Sequence, residues 1–157
     1  MAKRPGFSFL VCPDSELIQS RIRQMLEEFK SAGPWTKRVF WGDEPLPSAF
    51  WNDLGVPDLM GSRRMVILRR TDKLKDEELK KLSSSLRGFS ESIWPVFCLE
   101  KELDKGNLKI PKAVEKRKYY QVADERGWIW RDKGLSRRNI AQFIDAKARE
   151  LDVQLAP

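Results

Sequence analysis

The side chains that could carry chemistry in this 157-residue chain are few, and their arrangement argues against most reactions. There are no histidines, which removes serine-type triads, His-paired cysteine nucleophiles and the usual zinc sites. The two cysteines, Cys12 and Cys98, lie inside or at the end of apolar runs and read as buried free thiols. Cys12-Pro13-Asp14-Ser15-Glu16 sits between a strand-like run and a helical pattern, where a phosphate-binding loop would lie. Such a loop needs glycines, so that backbone N–H groups face the phosphates, and a lysine for charge. This turn has neither, and its two acids would repel phosphate. Arg69-Arg70-Thr71-Asp72, after a later strand, lacks the adjacent acidic pair that would hold magnesium. Asp43-Glu44 has no identifiable third ligand and reads as a solvated loop. Glu78-Leu79-Lys80 has the spacing of a nuclease metal element but lies in a helical pattern. No catalytic residue, metal site or cofactor is expected.

What remains is the stretch 56–68, Val-Pro-Asp-Leu-Met-Gly-Ser-Arg-Arg-Met-Val-Ile-Leu. Met65 to Leu68 is an unbroken apolar run that reads as a strand buried on both faces. Ahead of it, Leu59 and Met60 stand between Pro57 and Gly61, which leave room for about one helical turn. One turn cannot bury two large side chains by amphipathicity. Either they tuck under a neighbouring element, the ordinary fate of Leu and Met, or they stand out as a plug for a partner's pocket.

These residues need a frame, and the pattern supplies one. Phe7 to Cys12 reads as a strand. Asp14 is a natural N-cap for a helix in which Leu17, Ile18, Ile22, Met25, Leu26 and Phe29 recur at helical spacing. Lys37 to Trp41 reads as a strand, Ser48 to Leu54 as a short helix, and Lys75 to Phe89 as a helix with Leu79, Leu82, Leu86 and Phe89 on one face. Val96 to Leu99 reads as a buried strand, with Pro95 confined to its beginning or to a sheet edge. Leu108 to Glu115 fits a short helix, and Lys118 to Val122 a fifth strand. Trp128-Ile129-Trp130 fits helix or loop, with its tryptophans in the core or in a contact. Ser136 is the expected cap of a last helix striped by Ile140, Phe143, Ile144, Ala148 and Leu151. The alternation predicts an α/β domain of three layers with a mostly parallel five-stranded sheet.

Composition bounds the setting. No apolar run approaches the roughly 20 residues of a membrane span, and no signal-type stretch follows the first residues, so the expectation is a cytoplasmic protein. The net charge is +7. A basic balance fits work near nucleic acid or on an acidic partner, and it equally fits a solvated, slightly basic surface.

Taken together, these motifs resemble the delta subunit of the bacterial DNA polymerase III clamp loader. Four segments carry the resemblance: Phe9 to Ile18, where the ATP-binding loop of related AAA+ proteins is lost; Asp58 to Leu68, a bulky apolar pair followed by Ser-Arg and a buried strand; the helix and strand at Lys75–Phe89 and Val96–Leu99; and Ile140 to Leu151, similar to the helix leading into a small lid domain. The resemblance implies an AAA+-like, clamp-binding domain over 1–134, with 135–157 as connecting helix and start of a lid domain absent from this chain. It implies a part of the polymerase holoenzyme with no ATPase of its own. Its partners would be the sliding clamp (beta subunit) and the tau/gamma and delta-prime subunits, with DNA close by. Leu59 and Met60 match the apolar pair that enters the clamp's pocket, with Met where Phe is usual, and so the resemblance favours the plug. Arg63 and Arg64 would pair with clamp acids, approach DNA, or cap the strand. Two other classes stay open: a basic nucleic-acid-binding module and, less well supported, a nuclease or nucleotide-dependent enzyme.

Overall fold

The computed structural model describes residues 3–88, 90–134 and 140–151. Five strands, β1 (Ser8–Val11), β2 (Trp35–Trp41), β3 (Arg63–Arg69), β4 (Ile93–Leu99) and β5 (Ile129–Arg131), form one sheet in the order β2-β3-β4-β1-β5. Every pairing is parallel. The helices are α1 (Ser15–Glu28), α2 (Ser48–Gly55), α3 (Asp76–Ser85), α4 (Lys112–Glu115), α5 (Lys118–Arg126) and α6 (Ile140–Glu150).

The period-2 geometry of a strand sends alternate side chains to opposite faces, and both faces are apolar here. In β3, Met65 and Ile67 join Ile18, Ile22 and Met25 of α1 in one cluster, together with Leu10, Trp94, Val96 and Cys98. Val66 and Leu68 turn the other way, into a cluster with Phe50 and Leu54 of α2, Leu79 and Leu82 of α3, and Tyr119, Tyr120 and Ala123 of α5. This is the three-layer α/β arrangement that the alternation of elements predicts.

Two expectations are corrected. Lys118 to Val122 is not a strand but the first half of α5. Tyr119, Tyr120 and Ala123 bury together because a helix brings i, i+1 and i+4 to one side, and Gly127 ends it in the left-handed region (φ 72). The fifth strand is instead Ile129–Arg131, inside the Trp128-Ile129-Trp130 segment that reads as helix or loop. Ile129 packs against the cluster on the α5 face and Trp130 against the cluster on the α1 face, the signature of a strand.

Pro95 is also placed differently, as the third residue of a central strand. The register explains how it is tolerated. Pairing of β4 with β1 starts only at Val96, opposite Ser8, whereas pairing with β3 starts at Ile93. At Pro95 the strand has one neighbour, so no ladder bond to β1 is lost. The expected contribution of Phe89 to the third helix and the Ser136 cap fall outside the described residues.

Candidate functional site

At the C-terminal ends of the strands, where open α/β sheets bind their ligands, the chain fills the space with its own side chains. Asp14 caps α1 by accepting from the Glu16 N–H at 3.1 Å, so this acid serves the helix. Arg69, the last residue of β3, donates to both carboxylate oxygens of Glu100 (2.9 and 2.6 Å) and to Ser15 Oγ (3.0 Å). The Arg70 N–H adds a bond to Glu100 Oε2 (2.7 Å), and the Glu100 N–H donates to Asp72 (2.9 Å). The Arg69 and Glu100 side chains are only 5% and 10% exposed. Burial alone would lower the Arg69 pKa, but the hydrogen bonds and charge of Glu100 outweigh it and leave the guanidinium raised. Ser15 stands in the first turn of α1, where a phosphate loop offers its hydroxyl to magnesium. Here an arginine takes that hydroxyl.

The other candidates for chemistry are bound up as well. Asp43 pairs with Arg70, and Glu78 reaches back to the Lys75 N–H at the start of α3 (3.1 Å). Both cysteines are buried and free. Burial pushes the Cys12 thiol up to about 11 and the Cys98 thiol higher, so neither forms a thiolate nucleophile near neutral pH. Among the described residues no group of three or more His, Cys, Asp or Glu is placed to hold a metal ion, and no helix is long and apolar enough to cross a membrane.

The opposite end of the sheet carries Leu59 and Met60, and neither is tucked under a neighbour. They are 101% and 89% exposed. They occupy a reverse turn, Asp58 to Gly61, closed by the Gly61 N–H on the Asp58 carbonyl at 3.0 Å. This single turn fills the space that Pro57 and Gly61 leave for about one helical turn. Gly61 leaves it at φ 73, which favours glycine. The Asp58 carboxylate accepts from the Met60 N–H at 3.1 Å and from the Ser62 hydroxyl. These bonds, the Ser62 hydroxyl first, hold the carboxyl below the usual aspartate range.

Arg64 fastens the segment from behind. It donates to the Asp53 carbonyl (2.9 Å) and the Val56 carbonyl, satisfying groups orphaned at the end of α2. Arg63 lies over the Trp35 ring (5.1 Å), and Arg4 approaches the same ring from 5.4 Å. Burial, and then the neighbouring Arg63 charge, pulls Arg4 down to about 10. Thus Arg64 caps the end of α2 rather than the strand, and Arg63 stacks on Trp35. Val56, 58% exposed, adds apolar surface beside the pair.

No family model matches the sequence, and no curated protein matches it. A search of solved structures decides the fold. It resembles the Bacillus subtilis DNA clamp loader delta protein (YqeN). The likeness has a TM-score of 0.59 at 21% identity and covers 94% of this chain but 44% of that protein. This chain therefore spans less than half the length of the clamp loader delta protein it matches, and at that identity the likeness speaks for the fold.

Residue types alone do not reveal the Arg69–Glu100–Ser15 cluster. Its signals are present in retrospect: an arginine ends one buried strand, and an acid follows the next buried strand.

Proposed function

We propose that this chain is a clamp-loader domain of the delta type, which binds a ring-shaped DNA sliding clamp by seating Leu59 and Met60 in an apolar pocket and helps to open the ring. The observation that carries the reading is the exposure of both side chains on a turn that the chain braces from several directions. Exposed apolar pairs on loose loops are common, but a carboxylate, a hydroxyl and an arginine together hold this one in place. Rigid presentation lowers the ordering cost of binding. Full burial of a Leu and a Met is worth roughly 3–6 kcal/mol, enough for a hot spot though not for a whole interface. Met in the second position suits an irregular pocket, because its unbranched thioether adapts to shape.

The mechanism is mechanical. The plug anchors the domain, and the adjoining surface leans on the ring so that one interface is no longer held shut. Nucleotide chemistry would come from other subunits of the assembly, a reading supported by Arg69, which takes the Ser15 hydroxyl at the start of α1. In this reading residues 1–134 form the clamp-binding domain, α6 leads out of it, and tau/gamma, delta-prime and DNA are the remaining partners.

Equilibrium binding of the chain to the cognate clamp, beside a Leu59→Ala/Met60→Ala double variant, tests this. The expected result is a folded double variant that has lost at least about 3 kcal/mol of affinity. Equal binding by the two proteins would remove the plug.

A further inference from the structure

The Trp128-Ile129-Trp130 segment has no part in the proposed plug, yet it walls a hollow of its own. Between the C-terminal half of α1 and the edge strand β5 lies an open cleft of about 370 Å³. Trp128 and Trp130 form one wall and Phe29 part of the other, with Arg21 and Arg126 along it and Glu28 as its one acid. Each cation sits over an indole, Arg126 at 5.0 Å from the Trp128 ring centre and Arg21 at 5.9 Å from that of Trp130. The Arg21 Nε is buried and, among the described residues, has no hydrogen-bond partner. A buried donor without an acceptor is costly, and the guanidinium's charge, with that of Arg126, favours an anion in the cleft that both residues line.

We infer that this cleft binds single-stranded nucleic acid, with a base against the tryptophans and its phosphate at Arg21 and Arg126. Charge and shape both favour that occupant. Non-specific single-strand sites combine aromatic platforms with cations that track the backbone, and the cleft interleaves the two. Its volume falls in the range of ligand sites, about 300–1,000 Å³. An acidic peptide would match the cations but make no use of the aromatic wall formed by Trp128 and Trp130. The site is separate from Leu59 and Met60, so it stands or falls independently of the clamp reading.

The test uses the full chain and a fluorescein-labelled oligothymidine of about 12 nucleotides, read by anisotropy across a salt series. Arg21→Met/Arg126→Met keeps the apolar stems and removes the two charges. The expected result is an affinity lowered about tenfold or more and a log–log salt slope reduced by about 1.4. A Lys80→Gln/Lys101→Gln control on other surfaces should stay within about twofold, and Leu59→Ala/Met60→Ala should bind as the parent does. Photocrosslinking from 5-iodouracil to the parent chain gives a readout that needs no variant, and the adduct should map to Trp128 or Trp130. The proposal is overturned if the parent does not bind, if the control pair weakens binding as much as the cleft pair, if the crosslink maps elsewhere, or if an oligoglutamate peptide binds as tightly as the oligonucleotide.

Discussion

At the scale of single residues, the turn that presents Leu59 and Met60 depends on the Asp58 carboxylate. Asp58 accepts from the Met60 N–H and the Ser62 hydroxyl, and its lowered pKa is the same coupling seen from the proton's side. A group whose folded pKa is depressed contributes above the unfolded value, about 3.9 for aspartate. That contribution is lost as pH falls through the folded value. The turn should therefore be fully braced at neutral pH and loosen only in acid. Following the Met60 amide by NMR through an acid titration should give a midpoint below the ordinary aspartate value. Ser62→Ala, which removes the largest cause of the shift, should move that midpoint upward. An unmoved midpoint would mean that the hydroxyl does not brace the turn.

At the scale of elements, the sequence shows layers and order more clearly than it shows short elements. Long periodic segments such as α1, and unbroken apolar runs such as Met65–Leu68, appear where their patterns place them, because burial on one face or two leaves a direct trace in residue type. The failures are short. Lys-Tyr-Tyr-Gln-Val has strand-like propensity, but the turn chemistry at Gly127 and the burial of Ala123 make it helical. The three-residue β5 is too brief to show its alternation. The exposure of Leu59 and Met60 is illegible from composition, since nothing in residue type separates a plug from a core pair. Only the brevity of the segment between Pro57 and Gly61 hints at it. The ends of β1, β3 and β4 are tied by Arg69, Glu100 and Ser15, a link between segments far apart in sequence. Arg69→Met should cost about 3–5 kcal/mol in urea unfolding, because it leaves the Glu100 carboxylate buried and unpaired. The double variant Arg69→Met/Glu100→Leu should recover most of that loss. A double variant as unstable as the single one would show that the ion pair itself, rather than the relief of a stranded charge, holds the strand ends.

At the scale of the whole molecule, both proposed binding sites lie at the end of the sheet opposite the usual one. Doubly wound α/β proteins take ligands at the C-terminal ends of their strands, at the point where the connections change face. Here α1 alone of the first five helices packs on its face of the sheet, which puts that point beside β1. Ser15 and Glu100 meet there around the buried guanidinium of Arg69. The braced Leu59–Met60 turn and the tryptophan cleft both belong to the other end, as does Arg63 over Trp35. Under the proposed function the filled end is closed and the other end grips a partner, and this asymmetry gives a test in one assay. A ligand that binds only the native state raises stability by RT ln(1 + [L]/Kd), about 2.7 kcal/mol at a hundredfold excess over Kd. For a domain of this size that moves Tm by roughly 5–10 °C. The cognate clamp at such an excess should therefore raise the melting temperature of this chain by several degrees, and Leu59→Ala/Met60→Ala should abolish the rise. ATP with magnesium should leave Tm within about 1 °C, because binding it would first require the Arg69–Glu100 pair to open. A rise with ATP that survives in Arg69→Met would show that the phosphate position is still in use, and the division of the molecule into a closed end and a gripping end would fail.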